Sequence, residues 1–130
     1  HRVVEGFVIQ GGGHLEDLSE KPTHEPIPNE SEQTFKGGLK NTRGTIAMAR
    51  ETAPDTANSQ FYINTVDNAR LDFKDRSEAG IGYCAFGRVV EGMDTVDRIS
   101  KVRVEWRKGM QNVPEYPVRI RQVEIISGTK

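Results

Sequence analysis

What most narrows the fold of this chain is the length of its apolar runs. They lie at 3–10 (VVEGFVIQ), 44–50 (GTIAMAR), 60–66 (QFYINTV), 83–90 (YCAFGRVV) and 118–126 (VRIRQVEII), and polar stretches rich in Gly and Pro separate them. Runs this short, weighted toward β-branched and aromatic residues, suit strands rather than the helices of a bundle. One segment has helical spacing. At 93–102, Met93, Val96 and Ile99 recur at i, i+3, with Gly92 placed to cap and Asp94 at the positive end of the dipole. In the last run Val118 and Ile120 share one parity while Val123 and Ile125 share the other. A bulge near Arg121 or Gln122 would reconcile them. The expectation is a single, mainly β domain over 1–130.

Two long polar loops interrupt the pattern. Segment 11–43 carries three successive glycines and prolines at 22, 26 and 28, with only Leu15, Leu18, Ile27, Phe35 and Leu39 as anchors. Segment 67–81 is the second. Loops of this length in a compact domain are more often functional than accidental.

Composition removes several functions. The net charge is −1, with 18 basic and 19 acidic residues, which gives no electrostatic reason to bind a phosphate backbone. No apolar run reaches the length needed to span a bilayer. The single Cys84 lies in an apolar run and reads as a small buried hydrophobe. The histidines at 1, 14 and 24 are too loosely spaced for a zinc set, so no metal is called for. GIGYCAFG does not match the dinucleotide fingerprint, and Ser59 has no evident base beside it. No cofactor is implied.

Side chains alternate faces along a strand. In the first run Arg2, Val4, Val8 and Gln10 share parity and read as solvent-facing, while Val3, Phe7 and Ile9 read as core. Gly6 marks a place where a bulge could turn Phe7 toward Arg2. In 60–66, Gln60, Tyr62 and Asn64 share the outward face, with Phe61 and Ile63 inward. If the two strands are neighbours, a shallow cleft results, with a guanidinium at its edge. The alternative is that Arg2 is a solvated surface charge and the aromatics are core.

The segments FVIQGGG, GLKNTRGTIAMAR, NSQFYINTVDNARLD, GYCAFGRVVEGMDTVDRI and VRIRQVEI occur in an order that resembles the cyclophilins, which are peptidyl-prolyl cis-trans isomerases, and most closely the bacterial cytosolic type. The resemblance implies an antiparallel β-barrel capped by helices, with its groove on the outer face. The chain opens inside an element, so the family's first two strands and first helix are expected to be missing. That makes the barrel incomplete at the N-terminus, and any targeting segment would be lost with it. By motif, Arg2 corresponds to the catalytic arginine and Gln10 to the glutamine that helps hold it. Phe7, Val8, Gln60, Tyr62 and Leu71 correspond to the walls of the proline pocket and groove. Ala49 and Arg50 correspond to the segment whose backbone pairs with the peptide.

The departures from the family pattern lie at the site. Val8 stands where many members have methionine, and Tyr62 where phenylalanine is usual. Tyr83 takes the place of a histidine common in eukaryotic members. Arg70 replaces the aromatic before Leu71, which implies weak cyclosporin binding. The implied partners are proline-containing peptides and unfolded chains, with no nucleic acid and no membrane. A cytoplasmic monomer is expected. Two other readings stand beside the isomerase: a proline-peptide binding module without turnover, and a structural barrel without a ligand.

Overall fold

The computed structural model describes residues 1–128. Five antiparallel strands form the main sheet: β1 (Arg2–Val4), β2 (Val8–Gly11), β3 (Thr45–Met48), β4 (Phe61–Asn64) and β5 (Ala85–Arg88). Their order is β1-β2-β4-β3-β5. A second, two-stranded sheet pairs β6 (Val104–Arg107) with β7 (Met110–Pro114), and β7 packs beside β1. Helix α1 covers Ser31–Lys36 and helix α2 covers Met93–Ser100. A 3₁₀ turn spans Ala69–Leu71. The mainly β architecture follows the expectation, and the helix expected at 93–102 forms over Met93–Ser100. Among the described residues no helix is long and apolar enough to cross a membrane.

The run 3–10 is two strands, not one. The backbone N–H of Phe7 donates to the Val4 carbonyl at 3.0 Å, closing a tight turn with Gly6 at φ +71°. Only glycine adopts that angle without strain, so the residue that suggested a bulge makes a hairpin instead. Folding the run back places Arg2 opposite Gln10 and Val4 opposite Val8.

The run 118–126 forms no strand. Alternating apolar residues make a strand only where a partner backbone completes the ladder, and this stretch meets none among the described residues. Ile125 is 97% exposed. Among the described residues, the run's one ion pair is Arg119 with Glu16, at 3.2 Å.

Local chemistry explains the two elements that the sequence pattern did not announce. In α1, Asn29 Oδ1 accepts the Ser31 backbone N–H at 2.8 Å, and Lys36 bridges back to Glu32 at 2.8 Å. Phe35 meets Phe73 with ring centroids 6.2 Å apart. The β6–β7 hairpin turns on Lys108 and Gly109, both at positive φ.

Part of the expected solvent face is buried, while Val3, read as core on the other face, is buried as expected. Val8 is 2% exposed, Tyr62 4% and Asn64 0%. Val8, Ala47, Ala49, Tyr62 and Ala85 form an apolar cluster, and Phe7, Leu39, Leu71 and Tyr83 pack onto it from flanking segments. Those loops cover a face whose polar strand ends had marked it as outward. Phe61 and Ile63, read as core, are half-buried on the opposite face.

Candidate active site

Residues paired directly across an antiparallel ladder point to the same side of the sheet. The register pairs Arg2 with Gln10, Gln10 with Tyr62, Tyr62 with Ala47, and Ala47 with Ala85. One row of side chains therefore crosses all five strands, charged at the β1 end and apolar at the β5 end. The parity that grouped Arg2, Gln10 and Tyr62 in the sequence holds in the structure.

The polar end of the row is hydrogen-bonded in series. Arg2 Nη1 donates to Gln10 Oε1 at 2.9 Å, and Gln10 Nε2 donates to Gln60 Oε1 at 2.9 Å. All three side chains are half-buried. The glutamine carbonyl fixes one guanidinium N–H and leaves the rest of the fork to other partners. Gly13 makes room for this chain of bonds. A Cβ there would lie 2.5 Å from Gln60 Cγ and Nε2. Nothing in the sequence marked Gly13 beyond its place in the glycine triplet.

The apolar end is built from separate segments. Phe7 comes from the β1–β2 turn, Leu71 from the 3₁₀ turn, and Tyr83 from the approach to β5. Val8 and Tyr62 come from the strands. The Tyr62 and Tyr83 rings meet edge to face, with centroids 6.0 Å apart. Arg70 lies with Cζ 4.5 Å from the centroid of Phe7, so its guanidinium covers that ring by cation–π contact.

The Tyr62 hydroxyl has a partner that the sequence reading missed. It donates to Asn41 Oδ1 at 2.7 Å, deep in the fold. Burial pushes the phenol well above its ordinary range, so it stays a neutral donor. The one available signal was the phenol itself, since a buried hydroxyl needs an acceptor.

Ala49 and Arg50 continue β3 past its last ladder pair. The Ala49 backbone N–H donates to the Gln60 carbonyl at 3.0 Å, while the backbone N–H and C=O of Arg50 have no partner among the described residues. The Arg50 side chain folds away. It stacks 4.3 Å over Tyr83 and donates to the carbonyls of Gly82 at 2.7 Å and Glu51 at 2.8 Å. Beside this edge lies a polar cleft of about 220 Å³, and its lining includes Gln10, Gly13, Ala49, Arg50 and Gln60.

Cys84 is half-buried rather than enclosed, and sits at a second, apolar cavity of about 280 Å³ with Ile27, Met48 and Phe86. Burial raises its thiol pKa, so it is a poor nucleophile. His1 and His14 stack with ring centroids 4.2 Å apart. Among the described residues no three metal-ligating side chains come together.

The site thus offers a held guanidinium, an amide chain, an apolar seat and a free backbone edge. It has no activated nucleophile. A family model described as cyclophilin type peptidyl-prolyl cis-trans isomerase/CLD matches residues 1–125. Peptidyl-prolyl cis-trans isomerase B of Escherichia coli (strain K12) is 52% identical over 126 residues, covering 96% of this chain and 74% of that protein. Peptidyl-prolyl cis-trans isomerase A of Dickeya dadantii (strain 3937) is 47% identical over 126 residues, covering 97% of this chain and 63% of its own length. A peptidyl-prolyl cis-trans isomerase of Acinetobacter baylyi is 48% identical over 127 residues, covering 98% of this chain. The chain spans 64% of that last relative, so two of the three extend well beyond the matched region. On the family match and these identities, the chain belongs to the cyclophilin-type peptidyl-prolyl cis-trans isomerase family.

Proposed function

We propose that this chain accelerates cis–trans rotation about X–Pro bonds in peptides and unfolded proteins, with Arg2 as the catalytic residue. The observation that carries the proposal is the cross-strand row. It sets a hydrogen-bonded guanidinium on the same face of the sheet as the apolar cluster of Val8 and Tyr62, onto which Phe7 and Leu71 pack.

Rotation about the prolyl amide is opposed by a barrier of about 18–20 kcal/mol, which comes from partial double-bond character. No bond is cleaved, so neither nucleophile nor titrating base is required. In the twisted transition state conjugation is lost, and the prolyl nitrogen gains a localised lone pair. A donor aimed at that nitrogen binds the twisted amide better than either planar form, and only differential binding speeds the step.

The magnitudes divide the work. An acceleration of about five decades needs roughly 7 kcal/mol. One charged hydrogen bond supplies about 1.5–3 kcal/mol. The remainder falls to the seat. Phe7, Val8, Tyr62 and Leu71 hold the ring while the preceding carbonyl turns. Gln10 and Gln60 keep the guanidinium oriented, and the open Arg50 backbone pairs with the extended peptide. Arg2 retains its charge at any working pH, and its planar fork can serve Gln10 and the nitrogen together.

The test is exchange NMR on a short X–Pro peptide with catalytic amounts of the protein. Cis–trans exchange faster than in buffer supports the proposal. Peptide shifts without faster exchange make the chain a proline-peptide binding module and overturn the proposal.

A further inference from the structure

We infer that Asn41, through one buried amide network, is a positioning residue that fixes the walls of the proline seat relative to one another. The inference rests on the isomerase reading of that seat.

Asn41 is 1% exposed and lies in the loop between α1 and β3. Its Oδ1 accepts the Tyr62 hydroxyl at 2.7 Å and Asn64 Nδ2 at 3.1 Å. Its Nδ2 donates to the carbonyls of Leu71 at 3.3 Å and Tyr83 at 3.1 Å, and to Asp72 Oδ1 at 3.1 Å. Its backbone is held as well. The N–H donates to Asp72 Oδ1 at 2.7 Å, and the carbonyl accepts the Asn68 N–H at 2.8 Å. Asn68 Nδ2 in turn donates to Asn64 Oδ1 at 2.8 Å and to the Phe7 carbonyl at 3.0 Å.

Four seat residues, Phe7, Tyr62, Leu71 and Tyr83, are therefore tied to Asn41, directly or through Asn68. They belong to four separate segments; a backbone bond from Tyr83 N–H to the Leu71 carbonyl at 2.8 Å joins two of them, and Asn41 adds the link to Tyr62 and Phe7. A buried amide that only fills space needs its bonds satisfied by whatever lies nearest. Here three partners are a hydroxyl or carbonyl of a seat-wall residue, Tyr62, Leu71 and Tyr83, and the others, Asp72 and Asn64, complete the shell. A fully satisfied network in a low-dielectric interior specifies one arrangement, because any shift strands a buried polar group.

The test compares the parent protein with Asn41→Asp and with Asn68→Ala. The aspartate keeps the shape and the acceptor for Tyr62, but it can no longer donate to Leu71 and Tyr83, and it faces Asp72. The alanine releases only the Phe7 carbonyl and Asn64. For each protein the exchange rate of a saturating X–Pro peptide, the peptide dissociation constant and the thermal midpoint are measured. Loosened walls lower the saturated rate by about tenfold or more, while the dissociation constant moves less than about threefold, since ground-state contacts persist. A purely structural amide gives a lower midpoint with the parental rate per folded molecule, and that overturns the inference. If Asn41→Asp does not fold, Asn68→Ala decides by the same two readings. A parent without faster exchange sinks the isomerase reading and this inference with it. A parent that exchanges, with variants that match it, sinks this inference alone.

Discussion

Arg2 and Gln10 face each other across the β1–β2 hairpin, with Nη1 of the guanidinium 2.9 Å from the glutamine oxygen. The turn at Glu5–Phe7 sets that pairing, and Gly6 makes the turn. The geometry of the proposed catalytic group is thus fixed by a local device only a few residues long. The rest of the sheet enters just before β4, where Gln60 holds the other end of Gln10.

Replacing Arg2 with Lys should separate charge from geometry. An ammonium is a compact charge without the planar fork, so it cannot keep Gln10 and serve the prolyl nitrogen at once. The expected loss in kcat/KM is between about tenfold and about a hundredfold, the worth of one charged hydrogen bond. Peptide affinity should fall much less. Exchange NMR with a parallel binding titration measures both, and undiminished turnover would remove Arg2 from the mechanism.

Gln10 and Gln60 should act as one unit. Gln10→Ala frees the guanidinium, whereas Gln60→Ala only frees the amide that orients it. Residues joined in a network are non-additive, with couplings of about 0.5–3 kcal/mol. The double variant should therefore be little slower than Gln10→Ala alone. Strictly multiplicative losses in a double-mutant cycle would show that Gln60 acts separately.

Parity carried much of the site in the sequence. It grouped Arg2 with Gln10 and Gln60 with Tyr62, since alternation along a strand is a local property; the hairpin register and the β2–β4 pairing then bring Arg2, Gln10 and Tyr62 to one face. What it could not carry was which face is covered. Phe7, Leu39, Leu71 and Tyr83 bury the face of Val8 and Tyr62, and all four come from turns and loops whose approach is set by tertiary contacts. The same gap hid the network. Asn64 read as a mark of solvent, yet it is fully buried and bonded to Asn41, Thr45 and Asn68. The run 118–126 failed the opposite way, since its alternation was legible and no backbone among the described residues completes a ladder with it.

Gly82 joins backbone shape to the seat. It has φ +72°, and a Cβ there would lie 2.6 Å from the carbonyl carbon of Asp72 and 2.7 Å from the Phe73 nitrogen. Its carbonyl accepts Arg50 Nη2 and Asn29 Nδ2. Gly82→Ala adds left-handed strain and a clash with backbone that cannot rotate away. A stability loss of about 2 kcal/mol or more is expected from urea unfolding. Tyr83 should shift with it and lower peptide affinity. A variant as stable as the parent would mean that the 72–73 backbone yields freely.

Tyr62 gives the site a pH signature that phenylalanine at this position would lack. Burial raises its phenol above the ordinary value near 10, so the unfolded chain loses that proton first. The unfolded state then binds fewer protons, and stability falls as pH rises beyond the unfolded pKa. Below that point the contribution is fully present. At about pH 8 the hydroxyl's bond to Asn41 should make the parent more stable than Tyr62→Phe by about 1 kcal/mol, a typical net value for one hydrogen bond. One unit above the unfolded pKa, ionisation in the unfolded chain costs the parent about 1.4 kcal/mol. The two stabilities should therefore converge and cross near pH 11, a value set by the ordinary phenol pKa of about 10. Urea midpoints measured from neutral to alkaline pH follow the crossing. Parallel curves would mean that the phenol is as free in the fold as in the unfolded chain, and the buried bond to Asn41 would be lost from the account.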